Sequence, residues 1–225
     1  MRKFCLFILL LCTFSVQGET LIAQNFEKNI PHFEDGVDYF SYRVPINIEN
    51  RKDKKIIIQS FFAYDCRICS QAQDVLSLYA QIHPHTIYLE KHPVATEEAK
   101  YSANVYFSLQ ALDRDDLADL LLFEAEKDTH STLLNLTNLL QWGARNGIPD
   151  QQFLEFLQSE QVAKKTEEAI YLTDKYGVFT IPFVVIDGKY VLTQSTLYND
   201  DYAFAVLDFL VDRVEQERMM SGENK

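Results

Sequence analysis

The chain has 225 residues, 47% of them hydrophobic, and a formal net charge of −12 at pH 7. This composition, without internal repeats or low-complexity tracts, predicts a well-packed globular protein with one large domain, or one domain with an insertion. The acidity argues against nucleic acid and anionic membrane surfaces as partners.

The first eighteen residues have the layout of a secretory signal peptide. Met1-Arg2-Lys3 is basic, and Phe4 to Val16 is almost wholly apolar. Val16-Gln17-Gly18 then provides small residues in front of a cleavage site near Gly18. A membrane anchor is the alternative, but the apolar run is shorter than the roughly 20 residues that a spanning helix needs. Cys12 follows a leucine, which does not suit lipoprotein attachment. We therefore expect export, with cleavage near Gly18.

The first elements after this segment are predicted to be mostly strands. Tyr39 to Ile48 alternates loosely in hydrophobicity, which indicates an edge strand. Ile56 to Phe62 is nearly continuous, apolar and rich in β-branched residues, which is typical of a buried central strand. Apolar positions then recur at helical spacing from Cys69 to His83, and Thr86 to Leu89 begins another strand.

The middle of the chain is predicted to be helical. The predicted helices are Thr96 to Leu112, Asp115 to Phe123, Ser131 to Trp142, Asp150 to Leu157 and Gln161 to Tyr176. Gly177 stands where a helix C-terminal glycine is preferred. The sequence therefore predicts a compact helical block.

Strands resume after this block. Asp187-Gly188, between two β-rich runs, predicts a hairpin, and a last helix is expected from about Asp200 to Met219. Strands on both sides of a helical block predict an α/β sheet domain with a helical insertion. The predicted organisation is a signal peptide at 1–18, a sheet domain at 19–95 and 175–225, and an insertion at 96–174.

Two cysteines remain once the signal peptide is removed. Cys66 and Cys69 close a loop so short that their disulfide would constrain the unfolded chain little. Cys66 is predicted at a strand-to-helix junction, where unpaired N–H groups and the helix dipole stabilise a thiolate. Cys69 lies about one turn further on, within disulfide reach. We expect Cys66 to be the exposed attacking thiol and Cys69 the more buried one.

A metal site is the alternative use of this spacing. A structural zinc site needs a second pair of ligands, and the mature chain has no further cysteine. Among the histidines only His83 and His85 are closely spaced, and both are expected to be exposed at a helix end. No metal is predicted.

These features together resemble the thioredoxin superfamily. The resemblance rests on an apolar strand leading into a CxxC pair at a helix start, and on Ile181-Pro182 far downstream before a hairpin. The helices between them are similar to the insertion of the DsbA branch of periplasmic thiol oxidases. Phe33 to Phe40 (FEDGVDYF) and Val185 to Leu192 (VIDGKYVL) resemble that family's N-terminal segment and hairpin. The resemblance implies a thioredoxin-like fold with an inserted helical domain.

The resemblance also implies an activity and roles for particular residues. Cys66 would be the attacking cysteine, Cys69 the resolving one, Pro182 a cis-proline, and Ile181 the residue that holds the substrate backbone. The implied protein is an exported thiol:disulfide oxidoreductase that introduces disulfide bonds into reduced secreted or periplasmic proteins. It needs no cofactor and is re-oxidised by an inner-membrane, quinone-linked partner of the DsbB type.

The sequence departs from the family at the residues that would tune the thiols. Arg67-Ile68 replaces the Pro-His that is common in the oxidases. Arg67 favours the Cys66 thiolate, whereas Asp65 disfavours it. Ser60 stands six residues before the first cysteine, where the superfamily often has a buried carboxylate that relays a proton to the resolving thiol.

These departures keep two alternatives open. One is a periplasmic disulfide reductase or isomerase, although no dimerisation domain is visible and a monomer is expected. The other is a thioredoxin-fold binding module whose disulfide is inert.

Overall fold

The central strand of the sheet is the apolar run Ile56–Phe62. The computed structural model describes residues His32–Ile48 and Lys54–Gly222. Every residue of the central strand is buried. It pairs in parallel with Ile87–Pro93 and antiparallel with Phe183–Ile186. A strand of β-branched and aromatic residues is favoured where both faces of a sheet are covered.

The described residues form one mixed sheet and eight α-helices. In chain order the elements are β1 (Phe40–Ser41), β2 (Ile56–Phe62), α1 (Cys69–Ile82), β3 (Ile87–Pro93), α2 (Tyr101–Ala111), α3 (Asp115–Lys127), a 3-10 turn (Thr132–Leu134), α4 (Leu136–Arg145), α5 (Asp150–Leu157), α6 (Glu160–Lys175), β4 (Phe183–Ile186), β5 (Tyr190–Thr193), α7 (Gln194–Leu197) and α8 (Asp200–Ser221). The strand order is β1-β5-β4-β2-β3. Five helices, α2 to α6, lie between β3 and β4 in the sequence, which agrees with the predicted α/β fold class.

The residues of β2 divide between three apolar clusters. Ile56 and Ile58 pack with residues of α1 and α8 on one face of the sheet. Phe61 faces the other side and packs with Tyr176, which follows α6. Phe62, the last residue of the strand, belongs to a cluster that contains both cysteines and side chains of α2 to α5. The central strand therefore connects the sheet core to the helical segment at the level of the cysteine pair.

The hairpin between β4 and β5 is fixed to the C-terminal helix. Asp187 and Gly188 both have positive φ, as the hairpin signal predicts. A buried ion pair joins Asp187 Oδ1 to Arg218 Nη2 of α8 at 2.5 Å. A Cβ on Gly188 would lie 2.2 Å from the carbonyl oxygen of Ile46, so only glycine fits this approach.

The predicted edge strand from Tyr39 to Ile48 is wrong in extent, because only Phe40 and Ser41 form a ladder, with β5. Beyond them, the N–H of Tyr42 donates to Lys189 O and the N–H of Ile46 donates to Gly188 O, at 2.9 and 2.8 Å. Pro45 between them has no N–H to donate. The segment therefore follows the hairpin turn through single hydrogen bonds.

Two helices begin well after their predicted starts. Thr96 and Ala99 exchange backbone hydrogen bonds in a turn, so α2 begins five residues later than predicted. The predicted helix from Ser131 is broken, because the Asn135 side chain accepts a hydrogen bond from Thr137 N and caps a new helix there. Local hydrogen bonds, between backbone groups at Thr96 and from a side chain at Asn135, outweigh the apolar periodicity.

The predicted signal peptide at 1–18 lies outside the described residues. In the part of the chain that the structure describes, no helix is both long and apolar enough to cross a membrane.

Candidate active site

The two cysteines lie in the connection between β2 and α1. The N–H of Cys66 donates to Ala63 O at 3.2 Å, and the N–H of Cys69, the first residue of α1, donates to Cys66 O at 3.4 Å. This turn holds the two Cα atoms 5.5 Å apart, and the cysteines form a disulfide. Ile68 at the N-cap provides no side-chain hydrogen bond to the helix. A sulfur at this position lies beside the positive end of α1, which stabilises a thiolate.

The exposures of the two cysteines differ in the predicted order but not by the predicted amount. Cys69 is 1% exposed and Cys66 is 8% exposed. The description of Cys66 as exposed is therefore wrong. Both sulfurs belong to the apolar cluster formed with the helical segment, which covers Cys66 as well. A partner thiol can approach Cys66 only along a restricted path.

Asp65 and Arg67 flank Cys66 but do not pair with each other. The Arg67 guanidinium donates to the carbonyl oxygen of Thr129, after α3, at 3.5 Å. Asp65 lines a groove instead. The two charged groups therefore do not neutralise each other as an ion pair. Each remains available to act on Cys66 or on a bound molecule.

Ser60 is buried in β2, opposite Lys91 of β3 and Val184 of β4. Lys91 Nζ contacts the two carboxylate oxygens of Asp119 in α3 at 2.7 and 2.8 Å. The strand register thus places Lys91, which pairs with Asp119, opposite Ser60. Sequence reasoning missed Lys91 because the prediction located only the beginning of this strand, at Thr86 to Leu89. A strand continued to Pro93 would have placed Lys91 next to β2.

Asp74 of α1 is influenced by the same ion pair. Burial raises the pKa of Asp74, the Asp119 carboxylate raises it further, and the Lys91 ammonium opposes them. Charged groups of β3 and α3 therefore interact with Asp74 of α1, the helix that begins with Cys69.

Ile181 and Pro182 lie between α6 and β4. Their peptide bond is cis, as the resemblance implied, and Pro182 is buried while Ile181 is half-buried. Ile181 lines the same groove as Asp65, which has a volume of about 310 Å³. The groove is lined by Ala63, Asp65, Val94, Thr96, Ala99, Tyr101, Ser102, Leu134 and Ile181. The structure thus joins two of the predicted site residues in one concave surface beside the disulfide.

Tyr64 does not line this groove. Its ring is buried and makes an edge-to-face contact with Phe62, which in turn makes one with Tyr106. Its backbone N–H donates to Ser102 Oγ at 2.9 Å, and its hydroxyl donates to Ala118 O at 3.4 Å. Burial raises the pKa of Tyr64 well above its usual value. Tyr64 therefore ties the cysteine loop to α2 and α3.

Within the two described ranges, no group of three or more His, Cys, Asp or Glu side chains is arranged to hold a metal ion. His83 is half-exposed at the end of α1 and lies 4.0 Å from an Asp208 carboxylate oxygen.

Comparison with known proteins places this site in a family. No protein-family model matches the chain. An uncharacterized protein of Haemophilus influenzae is 49% identical over 206 residues, which cover 91% of this chain and 86% of that protein. The thiol:disulfide interchange protein DsbA of Bordetella pertussis is 28% identical over 160 residues, covering 70% of this chain and 76% of its own.

Solved structures show the same fold. The crystal structure of Pseudomonas aeruginosa DsbA has a TM-score of 0.68 at 18% identity and covers 84% of this chain and 97% of its own. The oxidoreductase NmDsbA1 of Neisseria meningitidis has a TM-score of 0.68 at 23% identity, covering 83% of this chain and 96% of its own. These neighbours confirm the predicted thioredoxin-like fold. In sequence, fold and cysteine pair the chain resembles the DsbA-like thiol:disulfide oxidoreductases, as predicted.

Proposed function

We propose that this protein is an exported thiol oxidase that introduces disulfide bonds into reduced secreted proteins, with Cys66 as the attacked cysteine and Cys69 as the resolving one. The observation that carries the proposal is the closed Cys66–Cys69 disulfide at the start of α1, beside a groove lined by Ile181. Cys66 is the more exposed of the two cysteines. Ile181, before the buried Pro182, would hold the backbone of the client protein next to it.

The reaction is two successive thiol–disulfide exchanges. A client thiolate attacks Cys66 Sγ and forms a mixed disulfide, while the bond to Cys69 breaks with its electron pair going to Cys69 Sγ. A second client thiolate then attacks the client sulfur of the mixed disulfide and releases Cys66 as a thiolate. The client loses two electrons and two protons, and the enzyme gains two electrons and two protons in becoming its dithiol.

Two features support transfer in this direction. The N-terminus of α1 has no capping side chain or acidic residue in its first turn. Its dipole therefore stabilises the Cys66 thiolate, and stabilising the reduced form makes the disulfide a stronger oxidant. Arg67 adds to this effect and Asp65 opposes it, so these two residues tune the pair.

Ser60 changes how Cys69 exchanges its proton. A serine cannot replace a carboxylate as a proton relay at neutral pH, so water or another acid is needed. Lys91, the residue opposite Ser60 in the strand register, is a charged group on the neighbouring strand and is paired with Asp119.

The proposed setting follows from the family. Residues 1–18 would be removed as a signal peptide, 19–95 and 175–225 would form the thioredoxin-like domain, and 96–174 the helical insertion. The protein would act as a monomer in the periplasm without a cofactor. A quinone-linked inner-membrane partner of the DsbB type would take the two electrons and restore the disulfide.

The first test is the equilibrium of the Cys66–Cys69 pair of the mature protein in graded glutathione buffers, with the reduced fraction read by thiol labelling and mass. An oxidase stays largely reduced in buffers that oxidise ordinary thiols. A pair that remains oxidised until strongly reducing conditions would instead indicate the reductase. In that case the effect of Asp65 on the Cys66 thiolate outweighs that of Arg67.

Trapping in cells separates an enzyme from an inert binding module. Cys69→Ala leaves Cys66 without its resolving partner, so an oxidase accumulates mixed disulfides with several clients. Cys66→Ser is the matched control and should trap none. Oxidation of reduced proteins by Cys66→Ser, or no trapped client with Cys69→Ala, would refute the proposed roles.

A further inference from the structure

We propose that the groove beside the disulfide selects client segments that carry a lysine or arginine and an apolar residue close to the reactive cysteine, and that Asp65 is the residue that reads the positive charge. This inference rests on the proposed function, because it names the clients that the same site prefers.

The first observation is that Asp65 has no partner. Within the described residues its carboxylate makes no hydrogen bond and no ion pair, and Arg67 next to it is directed to Thr129 O. An exposed carboxylate at the edge of a groove attracts a cationic group of a bound chain.

The second observation is that the other polar groups of the groove are already engaged. Ser102 Oγ accepts from Tyr64 N. The Tyr101 hydroxyl donates to Leu133 O. Thr96 Oγ1 donates to Glu98 and accepts from Ala99 N. Asp65 is thus the lining side chain that offers a bound segment an unused strong acceptor.

The remaining lining is apolar. Val94, Tyr101, Leu134 and Ile181 line the groove with apolar surface, and its volume of about 310 Å³ is enough for a medium-sized aliphatic side chain with part of its backbone. Charge and shape together favour an aliphatic residue inside the groove and a basic residue at its edge.

The charges around the groove point the same way. Lys100 follows the groove residue Ala99, but its ammonium lies 2.9 Å from a carboxylate oxygen of Glu97 and 3.0 Å from one of Glu167. Glu98 adds a further exposed carboxylate. The surroundings are therefore net acidic, like the whole chain at −12, and an acidic client segment is repelled.

The test uses three reduced synthetic peptides, each with two cysteines. The peptides differ only in the two residues next to the first cysteine, which are Leu and Lys, Leu and Glu, or Ser and Lys. The rate at which each becomes oxidised by the mature, oxidised protein is divided by its rate with oxidised glutathione. This division removes the effect of a neighbouring charge on the peptide thiol itself.

The wild type should oxidise the Leu–Lys peptide about fivefold faster than the Leu–Glu peptide, as expected for one partly solvated charge contact that is attractive in one peptide and repulsive in the other. Asp65→Asn should remove most of this preference, leaving only the weaker effect of the more distant carboxylates. A ratio is used because Asp65→Asn also changes the redox properties of Cys66, which affects both peptides equally. The ratio should also fall in about 1 M salt, where the screening length is about 3 Å.

Two further variants complete the design. Asp212→Asn on α8 removes the same charge from an exposed position that does not line the groove, and it should keep the wild-type ratio. Ala99→Phe, at an exposed lining position, should fill the groove and abolish the preference for Leu over Ser.

The outcomes separate the two proposals. A wild-type ratio near one, or a ratio that survives Asp65→Asn, overturns the inference and leaves the oxidase intact. If no peptide is oxidised, the oxidase proposal fails, and calorimetric binding of the same peptides with serine in place of cysteine decides the inference. Preferential binding of the Lys peptide then supports it, and equal or absent binding overturns it.

Discussion

Replacing Arg218 by methionine tests how strongly the buried ion pair stabilises the hairpin that follows Pro182. The Asp187 side chain is 0% exposed and the Arg218 side chain 7% exposed, with 2.5 Å between Oδ1 and Nη2. Breaking such a pair by removing one partner costs about 3–5 kcal/mol, because the remaining charge stays buried without its counterion. Methionine retains much of the apolar volume of the arginine stem, so the cavity left is small.

Arg218 also makes two hydrogen bonds to the chain before β2. Its guanidinium donates to Lys54 O at 2.6 Å and to Lys55 O at 3.3 Å. With these bonds lost as well, we expect Arg218→Met to lower the free energy of unfolding by about 4 kcal/mol. At about 2–4 °C per kcal/mol for a chain of this size, Tm should fall by about 8–16 °C.

The assay is urea unfolding of the oxidised protein followed by far-UV circular dichroism. Lys189→Met is the matched control, because it removes a partly exposed ion pair with Glu217 at 3.2 Å and should cost less than about 1 kcal/mol. Asp187→Asn with Arg218→Met leaves no buried charge, and asparagine tolerates the φ of 54°. The double variant should therefore recover at least about half of the loss. A loss below about 1 kcal/mol in Arg218→Met, or no recovery in the double variant, would refute this reasoning.

Three further predictions concern other contacts. Gly188→Ala should lower the free energy of unfolding by at least about 2 kcal/mol, because its Cβ would meet Ile46 O at positive φ; an unchanged urea midpoint would contradict this. Leu139→Ala, at a fully buried site of the helical cluster, should cost about 3 kcal/mol in the same assay, and a loss under about 1 kcal/mol would show that the site is not tightly packed. Burial, and then the hydrogen bond to Asp38, raise the pKa of Tyr202 to about 12. The unfolded chain ionises near pH 10, so the stability that this tyrosine contributes is present below pH 10 and is lost as the pH rises towards 12. Tyr202→Phe should make the fall in stability between pH 10 and 12 shallower, and an identical pH profile would argue against the raised pKa.

Local patterns were enough for most of the elements. The apolar run of β2, the Asp187-Gly188 turn and the helix Asp150–Leu157 are found as predicted, because side-chain periodicity and turn chemistry act over a few residues. The errors at Tyr39 to Ile48 and at Thr96 have one cause. Single hydrogen bonds, to the hairpin in one case and within a turn in the other, replaced the regular pattern that hydrophobicity favoured.

The candidate site was only partly predictable. Cys66 and Cys69 could be recognised by their spacing, and Ile181-Pro182 by its position before the hairpin. The low exposure of Cys66 could not be predicted, because the side chains that cover it come from helices that are distant in sequence. Lys91 and Asp119 were missed for a similar reason, since their contact depends on the register of β3 and on the docking of α3.

The amino-acid sequence by itself determined the order of strands and helices, the cysteine pair at a strand-to-helix junction, and the Asp187-Gly188 turn. These features depend on neighbouring residues alone. Only the tertiary structure decided that Asp65 faces a groove while Arg67 turns to Thr129, and that Arg218 closes on Asp187. Each of these joins segments far apart in the chain, and a contact of that kind exists only after the sheet and the helices have packed against each other.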